Sequence, residues 1–293
     1  MNGIIVVDKP AGWTSHDVVN RMRRIAATKK VGHLGTLDPM ATGVLPLMLN
    51  RATRLAQFYL KNDKTYEGSI RFGHSTATYD GDGEATSPHI EVILDAARLE
   101  QALARFRGTF QQTPPPVSAK KIHGRPAYVL ARKNLPVELK PVQVTVFELT
   151  LLAVEGSVAR VRVHCSAGTY LRSIAHELGI ELGSGAYLES LRRTQSGPFT
   201  IDQAKTIDEL SSLADEDRLV EALLPAASLL PDFPTEIVDR ITEGQIRQGR
   251  DFRVSPFHAC AGAPIVKAVS SSGELVAIGE VKLPNVYHPL LVL

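Results

Sequence analysis

The segment "KKVGHLGTLDPMATGVLPLML" (29–49) sets one carboxylate, Asp38, among three glycines and a histidine, His33, ahead of an apolar run. An Asp before a proline ordinarily opens a turn, because its side chain bonds the backbone two residues on. The same residue could also do chemistry. A carboxylate can add covalently to an electrophilic carbon and later leave, dividing one hard step into two. It would have to stay ionised, which an arginine partner would secure by lowering its pKa. If the electrophile were a nucleobase presented by RNA, an aromatic ring should stack on it and an apolar floor should exclude water.

Other chemistries lack their residues. "YDGDGE" (79–84) evokes a calcium loop but has neither a third acidic ligand before its glycine nor a bidentate Glu further on, so it reads as a turn. "LDPMATG" has Met40 where an aspartyl-phosphate phosphatase needs a second acid. Neither G-x-x-x-x-G-K-[ST] nor G-x-G-x-x-G occurs, and no G-x-S-x-G elbow. His164–Cys165 and His258-x-Cys260 lack the paired spacing of a zinc site. No metal and no cofactor is expected.

The elements that must position Asp38 follow from hydrophobic periodicity. "GIIVVDKP" predicts a short buried strand. "TSHDVVNRMRRIAAT" predicts a helix capped by Thr14 or Ser15, burying Val18, Met22 and Ile25 and presenting Arg21, Arg23 and Arg24. After the glycine-rich loop come a buried strand at "VLPLML" and a second helix at "RATRLAQFYLK". "KTYEGSIRFG" alternates as a strand, and "LDAARLEQALARFRG" is the clearest helix. A proline-rich basic insert, 111–133, reads as an extended, exposed segment able to lie over a ligand, with a short helix in its second half. "VQVTVFELTLLAV" and "VARVRVHCSAG" should pair across a turn at "EGS". "TYLRSIAHELGIELG" should be a helix ending at Gly183, and "AYLESLRRTQSGPF" is ambiguous, partly strand. From about 201 the chain becomes an acidic helical connector, and short β-like runs then suit a small β-rich domain.

At 293 residues the chain can bury a large core, and 44% hydrophobic with 22% charged residues is ordinary for a globular protein. Nothing approaches a membrane span, the start carries no secretion signal, and two isolated cysteines fit a reducing compartment, so the expectation is cytoplasmic. Charge is uneven. Residues 1–200 hold 25 basic and 17 acidic residues, net +8, and 201–293 hold 8 and 14, net −6. The first two-thirds is therefore the part suited to a polyanion.

"GHLGTLDPMATGVLPL" closely resembles the catalytic motif of the TruB family of tRNA pseudouridine-55 synthases. Four further blocks stand in family order: "GIIVVDKPAGWTS", "DKTYEGSIRFGHSTATYDGDGE", "HCSAGTYLRSIAHELG" and "GAYLESLRRTQSGPF". The resemblance implies an α/β fold of the α+β type, with a central, mainly antiparallel sheet and a catalytic cleft, plus a small C-terminal PUA-like domain. It divides the chain into a catalytic domain (1–230) and an RNA-binding domain (235–293). It implies isomerisation of a T-loop uridine of tRNA to pseudouridine, with no cofactor, guide RNA or obligate protein partner. Asp38 would be the nucleophile, Arg172 its partner and Tyr66 the ring on the base. His33, Tyr170, Leu191 and Lys9 would shape the pocket. Position 34 departs from the family pattern, with Leu where a small or polar residue is expected. Phosphate contacts are expected from Arg21, Arg24, Lys120, Lys121, Arg125, Arg192 and Arg193. Rival readings are a guide-dependent relative and a tRNA-binding or folding module.

Overall fold

In the computed structural model, residues 1–117, 121–122, 125–126, 140–258 and 260–293 are described. The strands are β1 (Gly3–Lys9), β2 (Val31–His33), β3 (Thr42–Leu49), β4 (Lys64–Phe72), β5 (Gly108–Gln112), β6 (Lys121–Ile122), β7 (Arg125–Pro126), β8 (Val142–Glu155) and β9 (Val158–Cys165). They continue with β10 (Ala186–Ser196), β11 (Phe199–Thr200), β12 (Leu224–Pro225), β13 (Thr235–Val238), β14 (Phe252–Arg253), β15 (Ile265–Ser270), β16 (Leu275–Leu283) and β17 (Val286–Val292).

One ten-stranded sheet runs β12-β1-β3-β10-β4-β9-β8-β5, with β2 added to β3 and β11 to β10. Only the β3–β10 pair is parallel, so the sheet is mainly antiparallel as expected. β1 shows why it is covered on both faces. Ile5 and Val7 enter one apolar core and Ile4 and Val6 the other, as the two-residue period of a strand requires. Helices 15–25, 96–104, 171–182 and 207–215 cover the first face. The first begins at a Thr14 capping box with Asp17, and the third stops at Gly183 in the left-handed region. That third helix lies so close to β10 that a Cβ on Gly179 would stand 2.1 Å from the Ala186 nitrogen.

β13–β17 form a second, five-stranded sheet with its own apolar cluster around Ile246, Phe252 and Tyr287. Its Val269, Leu275 and Ile278 also share a core with Ile4, Val44 and Met48 of the large sheet. Among the described residues no helix is long and apolar enough to cross a membrane.

Four local expectations differ. The helix expected at 51–61 is a 3₁₀ segment, Asn50–Phe58, in which Ala52 and Leu55 bury at the three-residue spacing of that tighter helix. The ambiguous segment at 186–196 is wholly strand and lies in the interior of the sheet. The acidic connector is built in, not draped. β12 pairs with β1, Ile207 and Leu210 enter the first core, and Leu229 and Leu230 enter the second. The start of the basic insert is not the exposed segment expected: Gln111 and Gln112 belong to β5, Gln112 is 1% exposed, and Pro114 and Pro115 are buried. The expectations for Lys120 and for the side chains of Lys121 and Arg125 lie outside the described residues.

Candidate active site

Asp38 sits in the loop between β2 and β3, and that loop is clamped from two sides. Ser15, at the start of the first helix, accepts the Leu37 N–H (2.8 Å) and donates to the Leu37 carbonyl (3.1 Å). Lys9, at the end of β1, is fully buried and donates to the carbonyls of Pro10 (2.8 Å), Pro39 (3.1 Å) and Ala41 (2.6 Å). Burial lowers its pKa to about 8, against the pull of Asp38 and with the push of Arg193. The Asp38 carbonyl accepts the Ala41 N–H at 3.1 Å, so the turn that the Asp-Pro pair signalled is present. The side chain, however, reaches across the cleft to Arg172.

Arg172 lies in the first turn of helix 171–182 and is only 4% exposed. Its Nε stands 2.9 Å from Asp38 Oδ2, although the N–H is not aimed along that line, so charge rather than a linear hydrogen bond holds the pair. Nη1 contacts Asp80 Oδ2 at 3.2 Å and donates to the Thr78 carbonyl at 3.1 Å. One guanidinium thus serves two carboxylates. The Asp38 side chain keeps 35% of its surface open to the cleft, whereas that of Asp80 is buried at 8%. Burial pushes the Asp38 carboxyl above its ordinary value. The charge of Arg172 opposes this, Asp80 adds to it, and Lys9 opposes it more weakly. The net direction is upward, opposite to what an arginine partner alone would give.

Asp80 belongs to the "YDGDGE" segment and was not recognised from sequence. Its loop is fastened to the site twice. Gly81 N–H bonds the Leu188 carbonyl of β10 at 3.1 Å, and the Tyr79 ring stacks on His176 with centroids 3.7 Å apart. His176 is one helical turn beyond Arg172, so the same helix face carries both contacts.

Asp38 opens into a cleft of about 490 Å³ lined by Tyr66, Tyr170, Leu188, Leu191, Lys64 and Arg193. Tyr66, on β4, lies directly across from Arg193 on β10. Burial raises its phenol, and the Arg193 charge works against that rise. Leu191 lines the wall and packs on the core. Tyr170 is held through its backbone by Gln112, which accepts its N–H at 2.8 Å and donates to its carbonyl at 3.0 Å. Lys64, also missed from sequence, reaches the floor with its amine on the carbonyls of Leu60 and Asn62.

Two expected residues stand elsewhere. Arg193 is not a surface phosphate contact. It is 1% exposed, with Nε on the Val44 carbonyl (2.7 Å) and Nη2 on the Gly35 carbonyl (3.1 Å). His33, at the end of β2, does not line the cleft. Its Nδ1 is buried without a hydrogen-bond partner, and burial lowers its pKa. Leu34, the departure from the family pattern, turns away into the second core. Arg21 and Arg24 are exposed, and Arg192 is half-exposed beside Asp8, 2.7 Å away. Among the described residues no three His, Cys, Asp or Glu side chains are placed to hold a metal ion.

A family model for the TruB family pseudouridylate synthase N-terminal domain matches residues 23–171, and one for the tRNA pseudouridylate synthase B C-terminal domain matches 172–231. The junction of the two falls between Asp38 and its partner Arg172. A tRNA pseudouridine synthase B of Solibacter usitatus (strain Ellin6076) is 63% identical over all of both chains. One of Arthrobacter sp. (strain FB24) is 46% identical over 81% of this chain and 80% of its own. Among solved structures, the chain is similar to one in an H/ACA RNP bound to a substrate RNA containing 2'-deoxyuridine, with TM-score 0.70, 25% identity, 99% of this chain and 84% of that one. It is also similar to a chain of a Cbf5-Nop10-Gar1 complex, with TM-score 0.69, 28% identity, 97% and 79%. The five sequence blocks, the family models and a full-length relative at 63% identity agree: this chain belongs to the TruB family of pseudouridylate synthases.

Proposed function

We propose that the chain isomerises uridine 55 in the T-loop of tRNA to pseudouridine, acting alone. The observation that carries this reading is the buried Arg172 paired with Asp38 at the mouth of a cleft floored by Tyr66 and walled by Leu191. The reaction breaks the bond from the ribose to N1 and forms one from the same ribose carbon to C5. The C5 hydrogen leaves as a proton and N1 gains one, so neither an oxidant nor a group donor is needed. The target base swings out of its stack, at a cost of a few kcal/mol. Tyr66 stacks on it and stands ready for the C5 proton, and Leu191 and Tyr170 close the apolar wall. Asp38 supplies the nucleophilic oxygen. Arg172 holds that oxygen ionised and aimed, Lys9 sets the backbone of its loop, and His33 steadies the same loop from outside the cleft.

Residues 1–230 are the catalytic domain of this reading and 235–293 a PUA-like RNA-binding domain. A guide RNA is not required. The full-length relative at 63% identity is named as a tRNA enzyme, whereas the chains of the H/ACA RNP and of the Cbf5-Nop10-Gar1 complex are 25% and 28% identical. Tritium release from T-loop uridine labelled at C5, with purified protein and no guide, tests the reading. Asp38→Asn should abolish release and leave tRNA binding largely intact, since phosphate contacts dominate affinity. Normal turnover by that variant would remove Asp38 from its role.

A further inference from the structure

The chain contains a single tryptophan, Trp13, which is 36% exposed in the loop before the first helix. It lines a groove of about 740 Å³ together with Pro10, Arg21, Arg24 and Arg192. This groove is not isolated from the cleft. Leu191, on the cleft wall, also lines a depression over Met40, and that depression shares Thr42 and Arg192 with the Trp13 groove. The cleft, the depression and the groove thus adjoin one another through shared wall residues, Leu191 and then Thr42 and Arg192.

The charges along the groove favour an anion at one end. Arg192 is engaged by Asp8 through two bonds, 3.1 and 2.7 Å, and Lys9 is committed to the catalytic loop. Asp208 stands on the wall formed by the start of helix 207–215. Arg21 and Arg24, one helical turn apart and both exposed, remain directed at solvent, apart from a 3.3 Å contact from Arg21 to Ser211. Among the described residues no ring packs against Trp13. A part-exposed indole lining one groove with two exposed guanidiniums is the pairing that single-stranded nucleic acid meets through its bases and phosphates.

We propose that this groove is a second nucleotide subsite. Trp13 stacks a base of the RNA strand outside the target nucleotide, and Arg21 and Arg24 hold the phosphate beside it. The proposal rests on the reading of the chain as an RNA isomerase and adds a place where the strand is gripped away from the reacting base.

Because Trp13 is the only indole, intrinsic tryptophan emission reports this groove alone. Full-length Asp38→Asn protein should show saturable quenching with unmodified tRNA, tracking filter retention of the same complex. Emission unmoved at saturating tRNA, with retention intact, overturns the subsite. In steady state Trp13→Ala should raise KM about five- to thirtyfold with kcat unchanged, and Trp13→Phe should recover most of it. A Phe variant no better than Ala, or a loss confined to kcat, counts against stacking. Arg21→Ala and Arg24→Ala should each flatten the dependence of log affinity on log salt by about 0.7 to 0.9, and an unchanged slope would remove the phosphate. If the unaltered protein releases no tritium from tRNA, the isomerase reading itself fails. If it releases tritium normally while the indole stays silent, only the subsite does.

Discussion

Replacing Asp80 by Asn isolates the electrostatics of the site. Asp80 and Asp38 both contact the Arg172 guanidinium, at 3.2 and 2.9 Å, so their carboxylates lie on the order of 6 Å apart. At an effective dielectric of about 20 the repulsion is roughly 3 kcal/mol. Asp38 is about one-third open to solvent, and screening reduces the figure to about 1 to 1.5 kcal/mol, near one pKa unit. The sign follows from the elevated Asp38 carboxyl, which burial raises first and Asp80 raises further. Activity that needs the ionised form is lost as pH falls through that elevated value. Asp80→Asn lowers the value, so the acid limb of kcat/KM should move down by about one unit. At neutral pH the rate should fall modestly, because Arg172 loses one of its anchors. The assay is single-turnover tritium release across the acid range, with protein stability followed in parallel. An acid limb that moved upward would mean that Asp80 acts by holding Arg172 in place, and one that stayed put would mean that its charge is not felt at Asp38. Either refutes the reasoning.

Three further substitutions probe the scaffold. Lys9→Met strips the donor from the Pro10, Pro39 and Ala41 carbonyls and should cost about 2 to 4 kcal/mol in urea unfolding, with tritium release falling as the Asp38 loop loosens. Gly43→Ala should be worse than Gly12→Ala. Both have positive φ, +97° and +79°, but a Cβ at 43 would stand 2.2 Å from the Arg193 carbonyl, while nothing lies within 4 Å of one at 12. The shared conformational cost is about 1 to 2 kcal/mol, so a larger fall in Tm for Gly43→Ala measures the close approach of β3 and β10, and equal falls would deny it.

Local signals in the sequence carried far. The Thr14 cap, the alternation of β4 and the left-handed stop at Gly183 all lie within a few residues of what they specify. Arg172 and Tyr66 came only from resemblance, since nothing local marks a helix arginine or a strand tyrosine as belonging to a cleft. Asp80 was hidden for the same reason. Its partner is far along the chain, and its surroundings have the composition of an ordinary turn. Arg193 was misread on a point of geometry. Arg192 and Arg193 are neighbours on one strand and must point to opposite faces, so both could not meet phosphate on one surface. Applying that rule required knowing that 186–196 is a strand, and its mixed apolar-basic pattern concealed this.

The apolar contact between the small sheet and the large one fixes a length. Val269, Leu275 and Ile278 are wedged against Ile4 and Met48, Lys267 donates to the Ala227 and Leu229 carbonyls, and the Tyr59 hydroxyl accepts the Leu230 N–H. These contacts oppose pivoting of the small sheet against the large one, since moving it would expose apolar surface and break the Lys267 bonds. An RNA gripped by both would be measured against a rigid gauge, and an arm one helical step too short or too long would bring the wrong nucleotide to the acid.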